Sequence, residues 1–194
     1  MSKYVKPYLE RYEEIPYEFH SLSVPLSVIP KQTVKIVRGW YTQSSELFTY
    51  RGGKLLANIF PSFPDEFQSE LIALIQTKNL EDIDFVLSIL RNYKGEIFTH
   101  EVCKEIIIAL PENDQLRQNE IGIILESTGV VRGEFGMAEA YKRKKVEIEP
   151  WLSDTNKSVV IFAKRYIETL NHQIASEHRR AEQGIALRKL DFGE

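Results

Sequence analysis

The sequence predicts an all-α protein built from antiparallel helical hairpins that stack as a short α–α superhelix. Apolar residues recur at spacings of three and four along most of the chain. Glycine, proline and helix-capping residues interrupt this pattern every 12 to 18 residues or so, roughly one helix length. Helices joined by short links pack antiparallel, and hairpins with exposed apolar stripes must stack to bury them. A compact bundle is the competing all-α arrangement.

The N-terminal third has the least regular pattern. Pro16, Pro25 and Pro30 predict an irregular connection over residues 15–30, because proline removes a backbone donor and restricts its predecessor. We expect residues 1–30 to form an irregular cap. The predicted helices of this third cover residues 4–14, 32–41 and 45–59. Gly52-Gly53 weakens the last of them, since glycine disfavours helix interiors.

The middle of the chain has the clearest helix boundaries. Pro64 suits a first helical position, and a helix over residues 64–76 follows it. The next helix, over residues 80–93, ends at Lys94-Gly95. Thr99 is a candidate N-cap for a helix that Pro111 closes, and Asn113 or Asp114 caps another. The predicted apolar positions of that helix are Leu116, Ile121, Ile124 and Leu125.

Two further helices are predicted at the C-terminal end, over residues 137–152 and 155–187. The second is long for a globular domain. We expect its charged end, residues 175–194, to form a helical tail that projects in part. The sequence therefore predicts one repeat domain over residues 1–194, with hairpins over residues 31–174 between the cap and the tail.

Residues 147–170 resemble a HEAT repeat, whose first helix contains proline and whose turn begins with aspartate. Spaced Val, Ala and aliphatic positions follow in the second helix of that motif. The matching residues are Pro150, Leu152, Asp154, Val159, Ala163 and Ile167. Val160 departs from the motif, which usually has arginine there, so the usual Arg–Asp contact is missing. The resemblance implies a HEAT-like α-solenoid that binds other macromolecules.

A second resemblance involves residues 89–194, with their segments 91–96, 127–131 and 133–136. They are similar to C-terminal helical regions of bacterial multidomain proteins, including STAND-type ATPases linked to phage defence. This resemblance implies a sensor or regulatory module in bacterial defence or signalling.

Composition and charge exclude several classes of protein. The chain has 25 Lys and Arg against 28 Asp and Glu, and residues 61–136 alone carry a net charge of −8. That acidic middle argues against a continuous nucleic-acid groove. Cys103 is the only cysteine, so an intramolecular disulfide is excluded and a reducing, cytoplasmic setting is expected. The sequence has neither a signal peptide at its start nor a membrane-length apolar run, so no membrane partner is expected.

Motifs for catalysis, cofactors or metals are missing from the sequence. Gly52-Gly53-Lys54 lacks the other residues of a phosphate-binding loop, and His100-Glu101 lacks the second histidine of a zinc motif. We interpret Cys103 as a buried structural thiol. His172 and His178 are expected in surface ion pairs with Glu168 and Glu182 rather than at a metal. Trp40 and Trp151 are interpreted as core residues.

The predicted partner-binding residues are six cations near the C-terminus. They are the exposed run Lys142, Arg143, Lys144 and Lys145 and the tail pair Arg179 and Arg180. With no enzyme site predicted, the expected partner is another protein or domain. The alternative is a nucleic-acid-binding protein or a HEAT-like alkylpurine DNA glycosylase, in which these cations contact the phosphate backbone. A third hypothesis is a helical bundle whose tail drives self-association.

Overall fold

The computed structural model describes residues 23–43 and 45–192, and all regular structure within them is helical. This confirms the predicted all-α class. The chain divides into an N-terminal unit, Met1–Pro111, and a C-terminal unit, Glu112–Glu194. No helix in the described residues is both long enough and apolar enough to cross a membrane. The prediction of a single repeat domain stays a prediction.

The N-terminal unit contains six of the α-helices that the structure describes. They are α1 (Ser23–Ser27), α2 (Pro30–Gln43), α3 (Ser45–Ile59), α4 (Asp65–Gln76), α5 (Leu80–Leu90) and α6 (His100–Ala109). Short 3-10 turns at Arg91–Tyr93 and Ile97–Thr99 connect α5 to α6. Asn79 begins α5 by accepting a hydrogen bond from the backbone N–H of Glu81 at 2.8 Å.

Helices of this unit pack in two rows. Helix α4 contacts both α2 and α6, while α3 contacts α5. Helices α3 and α5 run in the same direction, because Gly53 lies against Ser88 and the Phe60 carbonyl accepts a hydrogen bond from Tyr93 Oη at 2.9 Å. The stacking of helical hairpins stays a prediction, and so does the HEAT-like superhelix.

The core of the N-terminal unit centres on α5, which is apolar nearly all round. Its residues 85–90 are all buried, as expected of a helix with neighbours on several sides. Arg38 of α2 holds the start of α5 through Asp82, with Nε 2.6 Å from Oδ1. At the other end, Phe63 packs edge-on against Tyr93 and Phe67. These contacts fix α5 at both ends.

Several sequence predictions for this unit need correction. Residues 23–27 form a short helix within the connection predicted to be irregular, and Pro30 begins α2. Gly52-Gly53 does not interrupt α3, because tertiary packing outweighs glycine's low helix propensity. Thr99 occupies the N-cap position of α6, but its hydroxyl donates to the Glu96 carbonyl instead of capping. The helix predicted over residues 4–14 lies outside the described residues.

The C-terminal unit contains α7 (Gln115–Glu126), α8 (Gly136–Ile148) and α9 (Lys157–Phe192). Helices α7 and α9 run in the same direction, since Arg165 bonds Gln118 and Gln173 bonds Glu126 with one constant offset in sequence. Helix α8 runs the opposite way. A 3-10 turn, Glu149–Ser153, joins it to α9, and the two helices pack along their length as an antiparallel hairpin.

The cap of α7 agrees with the sequence prediction, whereas the end of the next helix and the position of Leu116 do not. Asp114 caps α7 and Asn156 caps α9, each by accepting a backbone N–H. The helix predicted over residues 137–152 ends at Ile148 and tightens into a 3-10 turn around Pro150. Leu116, predicted to be an apolar position of the α7 stripe, is 78% exposed.

The motif positions of the HEAT-like segment divide between the core and the surface. Val159 and Ala163 are buried on α9, whereas Leu152 is exposed in the 3-10 turn. The predicted tail is partly packed, because Ala181 is still buried; most residues from 182 to 190 are exposed.

Candidate partner-binding surface

The predicted basic run lies on helix α8, and its four residues divide between a buried side and a solvent-facing side of that helix. Lys144 lies one turn from both Ala140 and Ile148, and all three are buried. The Lys144 ammonium reaches Glu147 Oε2 at 2.9 Å while its alkyl stem is covered. The expectation that Lys144 is exposed was therefore wrong: the helical period places it with the core residues, where it has a structural role.

Lys142, Arg143 and Lys145 lie away from that buried stripe. Arg143 is exposed, and Lys142 and Lys145 are half-buried. Lys142 Nζ is 2.7 Å from Glu139 Oε1, and this hydrogen bond lowers the pKa of the Glu139 carboxyl. Arg143 and His178 favour the ionised carboxylate as well. The exposed face of α8 is therefore predominantly cationic, with its one early carboxylate already paired.

Arg179 and Arg180, the two predicted tail residues, are both exposed on α9. Arg180 Nη1 lies 3.7 Å from Glu177 Oε1 on the same helix, and the Arg180 side chain is 82% exposed. No salt bridge joins Arg179 to any residue that the structure describes. Both arginines are open to a partner, but no contact links them to Lys142 or Arg143.

A concavity of about 530 Å³ lies beside Arg143. The loop of residues 130–136 forms one wall, and Glu139 and Arg143 of α8 form the other; we call it the 130–136 concavity. Val130, at its edge, is 91% exposed. Arg132 is also exposed, so the concavity presents both apolar and cationic groups to solvent.

The 130–136 loop has a defined conformation. Gly129 and Gly133 both adopt a positive φ, which favours glycine, and the Gly136 N–H donates to the Gly133 carbonyl at 3.1 Å. Two contacts hold the loop on α9: the Phe135 ring lies 5.3 Å from the His178 ring, and Arg188 bonds Glu134. The walls of the concavity are consequently in place before any partner arrives.

The charges around the 130–136 concavity do not balance. Its two carboxylates are each paired with a cation, Glu134 with Arg188 and Glu139 with Lys142. Within the described part of the chain, neither Arg132 nor Arg143 makes a salt bridge. Two exposed guanidinium groups therefore remain to attract and bind an anionic group.

Two other concavities have different linings. One, of about 220 Å³, lies between α7 and α9, where Tyr166 packs against Gly122. Neutral amides line it together with one arginine, Arg165, and one glutamate, Glu126. The other, of about 380 Å³, lies in the N-terminal unit beside Phe98, Pro61 and Asn92. Neither has an excess of unpaired charge comparable to that at Arg132 and Arg143.

The cysteine, histidine and tryptophan side chains singled out in the sequence lie in the core or on helix surfaces. Cys103 is fully buried, as predicted, and burial raises the pKa of its thiol to about 12 although Thr99 opposes the shift. His178 packs on Phe135 instead of pairing with Glu182, and His172 forms no ion pair with Glu168, because solvated helical pairs are weak. Trp40 and Trp151 are buried, as predicted. The described residues contain no group of three or more potential metal ligands.

Sequence reasoning missed Arg132 and Val130. Both lie in a loop, where helical periodicity carries no information about neighbours. The available signal was the pair of glycines, Gly129 and Gly133, which bracket an arginine and a valine in a stretch otherwise free of helix pattern. No family model, curated protein or solved structure matches this chain.

Proposed function

We propose that this chain is a non-enzymatic protein-interaction module of HEAT-like type, with a scaffold or regulatory role. Its contact surface is the exposed face of α8 together with the 130–136 concavity. One observation carries the proposal: two exposed arginines, Arg132 and Arg143, lie at a preformed concavity whose own carboxylates are already paired. Such a surface attracts and orients an oppositely charged partner.

The mixture of charges favours a protein partner over a nucleic acid. Glu134, Glu139 and Glu177 are interspersed among the cations of this unit. A nucleic-acid backbone places a negative charge every few ångströms and is bound by continuous basic stripes. A protein can instead match an alternating pattern of charges, which gives specificity as well as a faster association rate. The role in bacterial defence or signalling remains part of the proposal and rests on the sequence resemblance alone.

Photo-cross-linking tests the class of partner. Val146 is 64% exposed and lies one turn from Lys142, so a photoreactive amino acid there samples the surface without removing a cation. Ile108, an exposed apolar residue of α6, is the matched control position. We expect protein adducts, identified by mass spectrometry, from position 146 and not from position 108. Adducts only with DNA or RNA, or no adducts at all, would refute the proposal.

A further inference from the structure

We propose that the 130–136 concavity binds an acidic peptide segment that carries an apolar side chain, contributed by a partner protein. This inference rests on the proposed function and deepens it by naming the chemistry of the partner. Three features of the concavity carry it: its unpaired arginines, its exposed valine and its fixed loop.

The unpaired arginines set the charge of the occupant. Arg132 of the loop and Arg143 of α8 both line the concavity, and both are exposed. Guanidinium groups bind carboxylates through two parallel hydrogen bonds, which fixes orientation as well as charge. Glu134 and Glu139 form their salt bridges with Arg188 and Lys142, and neither forms one with Arg132 or Arg143. An occupant with Asp or Glu side chains supplies the missing partners.

The exposed valine requires an apolar group in the occupant. Val130 is 91% exposed at the edge of the concavity, and Val131 and Phe135 also line it. A peptide side chain such as leucine or phenylalanine buries this surface, whereas a phosphodiester backbone has no apolar group to place there. The lining therefore favours an acidic peptide with an apolar anchor over a nucleic acid.

The fixed loop makes the concavity a site rather than a mobile surface. Its hydrogen bond from Gly136 to Gly133 fixes the turn, and its contacts through Phe135 and Glu134 hold it against α9. A preformed site avoids the entropy cost of ordering a loop when the partner binds. The volume of about 530 Å³ lies within the range of pockets that hold small ligands.

Selection from a displayed random dodecapeptide library tests this inference with the full chain as bait. We expect selected peptides to combine Asp or Glu with at least one large apolar residue. Fluorescence polarisation then measures the affinity of a selected peptide for the wild type and for the Arg132→Glu, Arg143→Glu double variant. Because two charge-assisted contacts become repulsive, binding should weaken by about tenfold or more.

Two further variants keep the test specific. Val130→Ser removes only the apolar edge, and we expect a loss of roughly threefold or more from the buried area forfeited. Lys157→Glu with Lys164→Glu reverses two exposed cations elsewhere in the same unit and should leave affinity within about twofold. Circular dichroism verifies that each variant folds, which we expect because every substituted side chain is exposed.

The outcomes separate this inference from the proposed function. Selected peptides that bind equally well to the double arginine variant, or that are basic or lack apolar residues, would overturn the inference and leave the proposed function standing. A library that yields no binder overturns the inference. If, in addition, a labelled oligodeoxynucleotide binds through Arg132 and Arg143, the proposed function is overturned too.

Discussion

Replacing Gly53 with alanine tests the close approach of α3 and α5 in the N-terminal unit. A Cβ atom at position 53 would lie 2.5 Å from the Ser88 carbonyl oxygen, where ordinary contacts are 3.4–4 Å. It would also strike Asn92 Nδ2, which donates to that same carbonyl and to Ile89 O. The obstacle is largely backbone, so a change of rotamer cannot remove the clash.

Opposing terms set the size of the effect. Alanine in place of glycine inside a helix stabilises by about 1 kcal/mol through propensity. Overpacking against a rigid neighbour costs about 1–3 kcal/mol, and a backbone obstacle puts Gly53 at the upper end of that range. Displacement of the Asn92 amide forfeits about 1 kcal/mol more. The net expectation for Gly53→Ala is a loss of about 3 kcal/mol, or a fall in Tm of roughly 6–12 °C.

Gly39 of α2 provides the matched control. It is a helical, exposed glycine of the same unit, and a Cβ atom there meets nothing within 4 Å. Gly39→Ala should therefore stabilise by about 0.5–1 kcal/mol. Urea unfolding followed by circular dichroism compares the two variants with the wild type. If Gly53→Ala is as stable as the wild type, or gains stability as Gly39→Ala does, the close packing of α3 on α5 is wrong.

Three other substitutions test separate contacts. Tyr93→Phe removes a hydroxyl that donates to the Leu56 carbonyl of α3 and to the Phe60 carbonyl just after it, and should cost about 1–2 kcal/mol in urea unfolding; an unchanged midpoint contradicts these bonds. Lys144→Glu should cost about 2–3 kcal/mol because Lys144 is buried beside a carboxylate, whereas Lys142→Glu, at a half-buried position, should cost at most about 0.5 kcal/mol. Equal losses would refute the division of α8 into a buried and a solvent-facing side. Burial opposes ionisation of Asp114, but the hydrogen bonds that it accepts from Arg117 prevail and lower its pKa. The ionised carboxylate therefore stabilises the fold at neutral pH, and this contribution disappears as the pH falls through the lowered pKa. Asp114→Asn keeps the cap but loses the charge, so its deficit of about 0.5 kcal/mol at pH 7 should vanish near pH 2; a deficit independent of pH contradicts this.

The helices were largely predictable because their signals are local. The bounds of α3, residues 45–59, agree with the sequence prediction, and Asp114 is the one of the two candidate residues that caps α7. Leu116 was misjudged because it precedes Ile121 by five residues, which turns it about 140° away from the buried stripe. Its exposure follows from the helical period rather than from tertiary structure.

The candidate surface was less predictable, for two reasons. A run of four cations cannot share one helix face, since each residue advances about 100°; Ala140, Lys144 and Ile148 form a buried stripe that a stricter use of the period would have found. Arg132 could not be found in that way. Its place at the concavity depends on how the 130–136 loop closes onto α9 through Phe135, and that contact joins residues distant in sequence.

Amide chemical-shift mapping tests the central claim most directly. A labelled full-length chain, titrated with a peptide selected from the dodecapeptide library, reports which amides sense the bound peptide. The account predicts that the largest shifts fall in residues 130–136 and on the exposed face of α8 around Arg143 and Val146. Shifts concentrated in the N-terminal unit, or along the groove between α7 and α9, would contradict it.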